Sequence, residues 1–241
     1  MDNLKQRSLW MLGIVMYIVC AIATCFIIIS SIVQLYLSHG EKFLCAFVIF
    51  ASGFMATRLL CTARVQKAYK IRRISHILLF IIYVIVVIDF TLVSGSFGRN
   101  VSNIFTLSTR EVREYISANT NIIPFATVRL YINAFKAGKI VPFIVAENLL
   151  GNLFVFMPLA FFVPALVRKI NSTLRFFAFA CTVVLIVELL QIIFMSGSAD
   201  IDDFILNVAG AMTAYGVLQI QKIKEAVNKY ARGSETDAGK G

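Results

Sequence analysis

The chain alternates between long apolar runs and short polar segments. Six of the runs approach the roughly 20 residues that an α-helix needs to cross a bilayer. These runs cover residues 9–36, 43–61, 74–93, 143–167, 174–195 and 201–220. Each run is continuously apolar, whereas a strand of a membrane barrel would alternate apolar and polar positions over about ten residues. The pattern therefore predicts an all-α polytopic membrane helical bundle with about six transmembrane helices.

The composition supports this class of protein. Hydrophobic residues make up 59% of the chain and its mean hydropathy is +0.82, whereas about 45–50% apolar residues is typical of soluble domains. The five cysteines lie in or at the ends of apolar runs without metal-ligand spacing, and we interpret them as small buried residues. The sequence contains no glycine-rich phosphate loop and no Ser-His-Asp or Cys-His pairing. We therefore expect neither a cofactor nor a resident metal ion.

The basic residues predict the orientation, because cytoplasmic loops of membrane proteins carry an excess of Lys and Arg. If the N-terminus is cytoplasmic, most of the 23 basic residues fall on that side. They are Lys5, Arg7, Arg58, Arg64, Lys67, Lys70, Arg72, Arg73, Arg168, Lys169, Arg175, Lys222, Lys224, Lys229, Arg232 and Lys240. Lys42 is alone in the first outer loop. We therefore expect both termini in the cytoplasm, and the net charge of +10 indicates orientation and anionic-lipid contact rather than nucleic-acid binding.

The pattern divides the chain into four parts. They are N-terminal transmembrane helices (1–93), an outer amphipathic loop segment (94–140), a transmembrane core (141–221) and a disordered basic cytoplasmic tail (222–241). In the outer segment, Ser108 and Glu111 have the spacing of a capping box, and a helix is expected to follow them. The apolar residues of 125–135 share one helical face, which predicts a second short helix. Two placements of this helix are open: in the outer membrane interface, or packed over the bundle.

Costly polar residues recur in the last three runs. Asp203, Asn207 and Gly210 share a face of the last helix, while Asn148, Asn152, Glu188 and Gln191 lie on the two preceding helices. Helical rise places Asn148, Glu188 and Asn207 within about 7–10 Å of the outer ends of their helices. Such residues normally face a bundle interior or a wet cavity. The pattern therefore predicts an outward-opening polar pocket, with Asp89 of the third helix as a possible further member.

Structural interpretations of the same residues are open as well. Asp202 and Asp203 would stabilise the start of the last helix as caps. The amides and Glu188 would hold the helices together by hydrogen bonds worth about 0.6–2 kcal/mol each. A divalent cation bound by the carboxylates is a further alternative, although Ile205 stands where a calcium loop has glycine.

Four motifs, taken together and in this order, resemble the VanZ-like family of bacterial membrane proteins, named for a teicoplanin-resistance accessory protein. They are NIIPF (121–125) followed by Tyr131, NLLGNLFVFMPLAFFVP (148–164), ELLQ (188–191) and SADIDDFILNVAG (198–210). The residues that match the family pattern are Asn121, Pro124, Phe125, Asn148, Asn152, Pro158, Glu188, Gln191, Asp200, Asp203, Asn207 and Gly210. Family members often have an Arg where this chain has Gly197, and Arg129 or Arg110 is a candidate to replace it.

The resemblance implies reduced susceptibility to lipoglycopeptide antibiotics such as teicoplanin, in a multi-pass protein of the bacterial cell membrane with an extracellular functional face. Our leading hypothesis is a pocket that binds a membrane lipid, a lipid-linked envelope precursor or the antibiotic. Its expected ligand-binding residues are Asn121, Pro124, Phe125, Arg129, Asn148, Asn152, Glu188, Gln191, Asp200, Asp202, Asp203 and Asn207.

Two other functions are open. The first is an enzyme that modifies an outer-leaflet lipid or lipid-linked sugar, with Glu188 or Asp203 as general base or metal ligand. The second is a small transporter or channel, which the sequence favours less because the inner half of the bundle has few polar residues and no inverted repeat is evident. The sequence does not decide whether the protein forms oligomers.

Overall fold

The structure is a computed structural model, and it describes residues 3–94, 107–139, 142–167, 169–170, 172–221, 223 and 225. The α-helices of this part are α1 (Asn3–Ile32), α2 (His39–Ala63), α3 (Ala68–Ile88), α4 (Thr109–Ala118), α5 (Ala126–Lys136), α6 (Pro142–Val155), α7 (Leu159–Leu166), α8 (Thr173–Ile193) and α9 (Ile201–Gln219). The other elements described there are a 3₁₀ turn (Val65–Lys67), a π-helical turn (Asp89–Val93) and two short strands, β1 (Thr120–Asn121) and β2 (Ala199–Asp200). Six segments are helical, long and apolar enough to cross a membrane. The predicted all-α polytopic membrane architecture is confirmed.

The described chain forms two compact units, the first comprising the residues up to Phe90 together with those from Gln221 onward, and the second running from Thr91 to Ile220. In the first unit, two glycines lie at close helix contacts, Gly13 where α1 meets α2 and Gly53 where α2 meets α3. A Cβ at Gly13 would lie 2.8 Å from the Leu60 side chain, and one at Gly53 would lie 2.3 Å from the Leu79 side chain. Small residues at such contacts are typical of transmembrane helix pairs, since they let the helices pack at short range.

Polar groups in the core of the first unit connect its helices. The hydroxyl of Tyr17 lies 3.0 Å from that of Thr57 and also donates a hydrogen bond to Ser75. Thr57 and Ser75 are buried, as is the neighbouring His76. By the predicted orientation these groups belong to the inner half of the membrane, where the sequence had suggested few polar residues. The three hydroxyl groups were missed because they lie in three different apolar runs, and only helix packing brings them together.

Lys42 corrects one sequence-based assignment, since it is not a loop residue. Helix α2 begins at His39 because Ser38 and Glu41 form a capping box, which places Lys42 in the first turn. Its side chain is 1% exposed, and its ammonium group lies 3.1 Å from a carboxylate oxygen of Asp89 and 2.8 Å from the hydroxyl of Ser31. A buried charge requires such partners, because an isolated charge is costly away from water. Asp89 is therefore a partner of Lys42 in the first unit.

The fourth predicted span also differs from the prediction, because it is divided into α6 and α7 rather than being one helix. The division lies at Pro158, which has no N–H to donate and so interrupts the hydrogen-bond pattern of α6. Between the two helices, Met157 and Leu159 donate to carbonyls three residues earlier, at 3.2 and 3.1 Å. This is the tighter hydrogen-bond pattern of a 3₁₀ turn.

In the second unit α9 packs against α6, α7 and α8. Gly210 lies where α9 meets α6, and a Cβ added to it would be 1.7 Å from the carbonyl oxygen of Leu153. No side chain fits at this contact, so the backbones of the two helices touch. The close approach brings the polar residues of α6 and α9 within reach of each other.

The helices predicted between the third and fourth spans are present as α4 and α5. Helix α4 begins with the predicted capping box of Ser108 and Glu111. Hydrogen bonds from the Ser108 hydroxyl and backbone N–H hold the pKa of the Glu111 carboxyl below its usual value. Arg110 and Glu114 form an ion pair at 2.8 Å on the exposed surface of α4. Exposed pairs of this kind contribute little to stability.

Candidate functional site

The segment 107–139 is attached to the loop that connects α8 and α9. Strands β1 and β2 pair in parallel, with Thr120 opposite Ala199 and Asn121 opposite Asp200. The N–H of Ala199 donates to the carbonyl of Asn119 at 2.9 Å, and the hydroxyl of Tyr115 donates to the carbonyl of Gly197 at 2.8 Å. These contacts place the motif residues of 121–131 beside the start of α9.

Asp202 caps α5, although the two are far apart in sequence. Its carboxylate accepts hydrogen bonds from the backbone N–H groups of Phe125, Thr127 and Val128, the last two at 2.8 and 3.1 Å. Phe125 occupies the N-cap position, has no side-chain oxygen and adopts a left-handed φ of 63°. The first N–H groups of a helix need partners, and a carboxylate also suits the positive end of the helix dipole. Asp202 therefore replaces the missing local cap.

Asp200 is the N-cap of α9, and it binds the other side of the same loop. One of its carboxylate oxygens accepts from the N–H of Asp202 at 2.9 Å and from the side-chain amide of Asn121 at 3.0 Å. The other accepts from the hydroxyl of Thr127. We call Asn121, Thr127, Asp200 and Asp202 the aspartate clasp. Both carboxylates of the clasp are buried and are engaged by the protein itself.

Glu188 is adjacent to the aspartate clasp. This residue of α8 is 6% exposed, and one of its carboxylate oxygens lies 3.4 Å from the N–H of Asp200, which donates to it. Glu188 is thus joined to the start of α9 by a backbone contact. The structure therefore brings Glu188 together with Asp200, another of the predicted site residues.

Asp203 has a different environment from the two clasp carboxylates. It accepts a hydrogen bond from the side-chain amide of Asn152 on α6, and both residues are only partly buried. Tyr131 of α5 is close to the same carboxylate. Burial raises the pKa of the Tyr131 phenol above its ordinary value of 10.0, and the negative charges of Asp203 and Asp200 raise the pKa further. Residues of α5, α6 and α9 therefore meet at Asp203.

Asn207 lies one turn further along α9 than Asp203. Asp203 contacts Asn152 and Gly210 contacts Leu153, so the face of α9 between them is turned toward α6. Asn207 is 4% exposed, and in the described part of the chain its side-chain oxygen has no hydrogen-bond partner. An unsatisfied buried acceptor is costly and points to a missing donor. We call Tyr131, Asn152, Asp203 and Asn207 the Asn–Asp cluster.

The remaining predicted site residues lie outside both groups. Gln191 is buried and donates to the carbonyl of Thr91 at 3.1 Å. Pro124, the Phe125 side chain, Arg129 and Asn148 are exposed. Arg110, the other candidate for replacing the family arginine, is the one paired with Glu114.

Sequence reasoning missed Thr127, whose backbone and hydroxyl both contact the clasp carboxylates. A threonine near the start of a helix is too common a feature to indicate a site residue by itself. Among the described residues, no group of three or more His, Cys, Asp or Glu side chains could hold a metal ion. Asp200 and Asp202 are both engaged by the segment that starts α5, whereas Asp203 accepts from Asn152 of α6.

Comparisons with known proteins agree with the motifs that form this site. A family model described as VanZ/LLP1 matches residues 80–222, which is more than half of the 241-residue chain. Searches of curated proteins and of solved structures each found no match. The matched region includes α4–α9, the aspartate clasp and the Asn–Asp cluster. On this evidence the chain is a multi-pass membrane protein that belongs to the VanZ/LLP1 family.

Proposed function

We propose that this protein lowers the susceptibility of a bacterial cell to lipoglycopeptide antibiotics such as teicoplanin. It would do so by binding the polar head of an outer-leaflet lipid or lipid-linked envelope precursor at the Asn–Asp cluster, thereby limiting the access of the antibiotic to its target. Family membership supports the class of activity, and the predicted orientation puts the start of α9 on the outer side.

The unsatisfied oxygen of Asn207 carries the proposal. A polar side chain that only joins helices would find its partner within the protein, because an unpaired polar group in a membrane is costly. Asn207 instead presents an acceptor beside the carboxylate of Asp203. Carboxylate and amide oxygens accept hydrogen bonds from the hydroxyl and amine groups of sugars and amino-containing headgroups. The cluster therefore suits a ligand that is rich in donors.

Because Asp203, Asn152 and Tyr131 are partly exposed, such a ligand can reach the Asn–Asp cluster from the protein surface. Asn148 is exposed one turn before Asn152 on α6, so it extends the polar surface toward the start of that helix. Asp200 and Asp202 would contribute indirectly, by holding α5 and Tyr131 beside α9.

The test is teicoplanin susceptibility of a sensitive Gram-positive host that expresses the wild type, Asp203→Asn, Asn207→Ala or Glu188→Gln. Glu114→Gln and Asn133→Ala are matched controls, because they make the same kinds of change at exposed positions of α4 and α5. Membrane accumulation of every variant is quantified in parallel. We expect the Asp203 and Asn207 variants to accumulate normally and lose protection, while both controls retain it.

Protection that persists in Asp203→Asn and Asn207→Ala would overturn the proposal. Lipid and precursor profiles of the same strains separate binding from catalysis. A covalently altered lipid that depends on Asp203 or Glu188 would replace the binding proposal with the enzyme alternative.

A further inference from the structure

A row of large apolar side chains is exposed on the segment that the clasp holds. Ile122 is 79% exposed, Ile123 66% and Phe125 59%, and on the following helix Ile132 is 41% and Phe135 49% exposed. We call these five residues the apolar edge. Single exposed apolar residues are normal on a protein surface, but a contiguous group marks a surface that contacts another apolar phase.

The clasp determines the depth of this edge. Asp202 is the second residue of α9, and it binds the backbone N–H groups of residues 125, 127 and 128 directly. Helix α9 has 19 residues and is therefore about 28 Å long, close to the roughly 30 Å thickness of the hydrocarbon core. The start of α5 thus lies at the end of a membrane span, at the boundary between hydrocarbon and headgroups.

Helix α5 carries three stripes that match this position. Thr127 and Tyr131 are half-buried, and they lie on the stripe of α5 that packs against the rest of the second unit. Arg129, Asn133 and Lys136 form an exposed polar stripe.

The third stripe of α5 contains Ile132 and Phe135, and it lies between the other two. A helix with adjoining apolar and cationic stripes is typical of the membrane interface, where the apolar stripe enters the acyl region and the cations meet phosphates.

The chain after α5 leads within a few residues into α6, which keeps the end of α5 close to the next candidate membrane span. Helix α6 begins at Pro142, only a few residues after Lys136, and the next candidate membrane span, Asn148–Leu166, begins within this helix. Its exposed residues Leu150 and Phe154 belong to a surface that faces lipid in a membrane protein. The apolar edge is thus tied to membrane spans at both ends.

We infer that the apolar edge is embedded in the lipid layer, so that the segment 120–136 is a membrane-inserted element beside the Asn–Asp cluster rather than a loop in water. The partner is the acyl-chain region of the surrounding bilayer. The two placements considered for α5 are then combined, since the helix contacts the protein through one stripe and lipid through another. The inference does not depend on what the cluster binds.

The experiment uses single-tryptophan variants of the full-length protein in proteoliposomes. Trp10, the only tryptophan of the chain, is first changed to Phe. Tryptophan is then introduced by Ile123→Trp or Phe135→Trp on the apolar edge, and by Asn133→Trp on the polar stripe as the matched control. Fluorescence is quenched from the lipid side by phospholipids brominated on their acyl chains, and from the water side by iodide.

We expect brominated lipids to quench the two apolar-edge variants at least twofold more than Asn133→Trp, and iodide to show the opposite order. Equal iodide quenching at all three positions would place the edge in water and overturn the inference. Weak quenching of the apolar-edge variants by both agents would overturn it as well, since it would show that protein, such as a second copy of the chain, covers the edge. A variant that does not reconstitute is replaced by Ile122→Trp or Ile132→Trp on the same edge.

Discussion

Asp202 and Asp203 are neighbours in one turn of α9, yet they lie in opposite kinds of environment. Asp202 is 1% exposed and accepts three backbone N–H groups of α5. Asp203 is only partly buried, accepts a hydrogen bond from a side-chain amide of α6 and lies one turn before Asn207, whose amide oxygen has no partner among the described residues. The first carboxylate is engaged by the chain itself, whereas the second belongs to a group that a ligand would complete.

This difference separates two roles that the sequence could not distinguish. Backbone N–H groups are obligatory donors, so a carboxylate that satisfies them is part of the fold. A side-chain pair at a partly open position can be changed with less effect on the fold. We therefore expect substitutions in the aspartate clasp to act on protein stability, and substitutions in the Asn–Asp cluster to act on protection.

Asp202→Ala should have the largest effect on stability. It leaves three N–H groups at the start of α5 without their acceptor, and hydrogen bonds to charged groups contribute about 1.5–3 kcal/mol each. We expect the free energy of unfolding to fall by about 3 kcal/mol, measured by thermal denaturation in detergent. Asp202→Asn keeps one acceptor oxygen and should be intermediate. The proposed difference between Asp202 and Asp203 is wrong if Asp203→Asn destabilises the protein as much as Asp202→Ala does.

Gly210→Ala should have the second largest effect on stability, because it disrupts the contact between α6 and α9 on which the Asn–Asp cluster depends. The added methyl group would be 1.7 Å from the carbonyl oxygen of Leu153, so α6 and α9 must separate. Overpacking of this kind costs about 1–3 kcal/mol. Gly216→Ala is the matched control on the same helix, since no described residue of a neighbouring element lies within 4 Å of the added methyl group. Equal thermal stability of the two variants would show that the close approach at Gly210 is unimportant.

The smallest expected effect is on the ionisation of Tyr131. Asp203→Asn removes one negative charge near the phenol, so the pKa of Tyr131 should fall, while burial keeps it above 10.0. Because folding raises this pKa, the group contributes to stability below pH 10.0, and the contribution is lost as the pH rises through the folded-state pKa. The measurement is an NMR titration of ¹³C-labelled tyrosine, assigned with Tyr131→Phe. An unchanged pKa in Asp203→Asn would show that the two side chains do not interact.

The sequence predicted the elements whose signals are local. Hydropathy located the six spans, and the spacing of Ser108 and Glu111 predicted the start of α4. The apolar residues at helical spacing predicted α5. Each of these depends on residues within a few turns of one another, which is the range over which periodicity and capping act.

The sequence could not predict contacts that join distant residues. Nothing near α5 indicates that its cap is Asp202, because the donors and the acceptor are more than 70 residues apart. The same limit applies to Lys42, whose partner Asp89 comes from another helix. Hydropathy also did not show the break at Pro158, because an apolar run can continue through a turn. Such features depend on tertiary packing rather than on local pattern.

The central claim is that Asp203 is part of a binding site and not only a link between helices. Exchanging the side chains at positions 152 and 203 tests this claim most directly. In the wild type the amide of Asn152 donates to the carboxylate of Asp203. Asn152→Asp places two carboxylates together, and combining it with Asp203→Asn restores an amide–carboxylate pair with the charge moved to α6. Thermal stability and teicoplanin susceptibility are measured for both single variants and for the exchange.

We predict that the exchange regains the stability lost in Asn152→Asp but not the protection, because the charge no longer lies on the face of α9 that carries Asn207. If the exchange restores protection together with stability, the pair serves only to hold α6 and α9 together, and the proposed site is wrong.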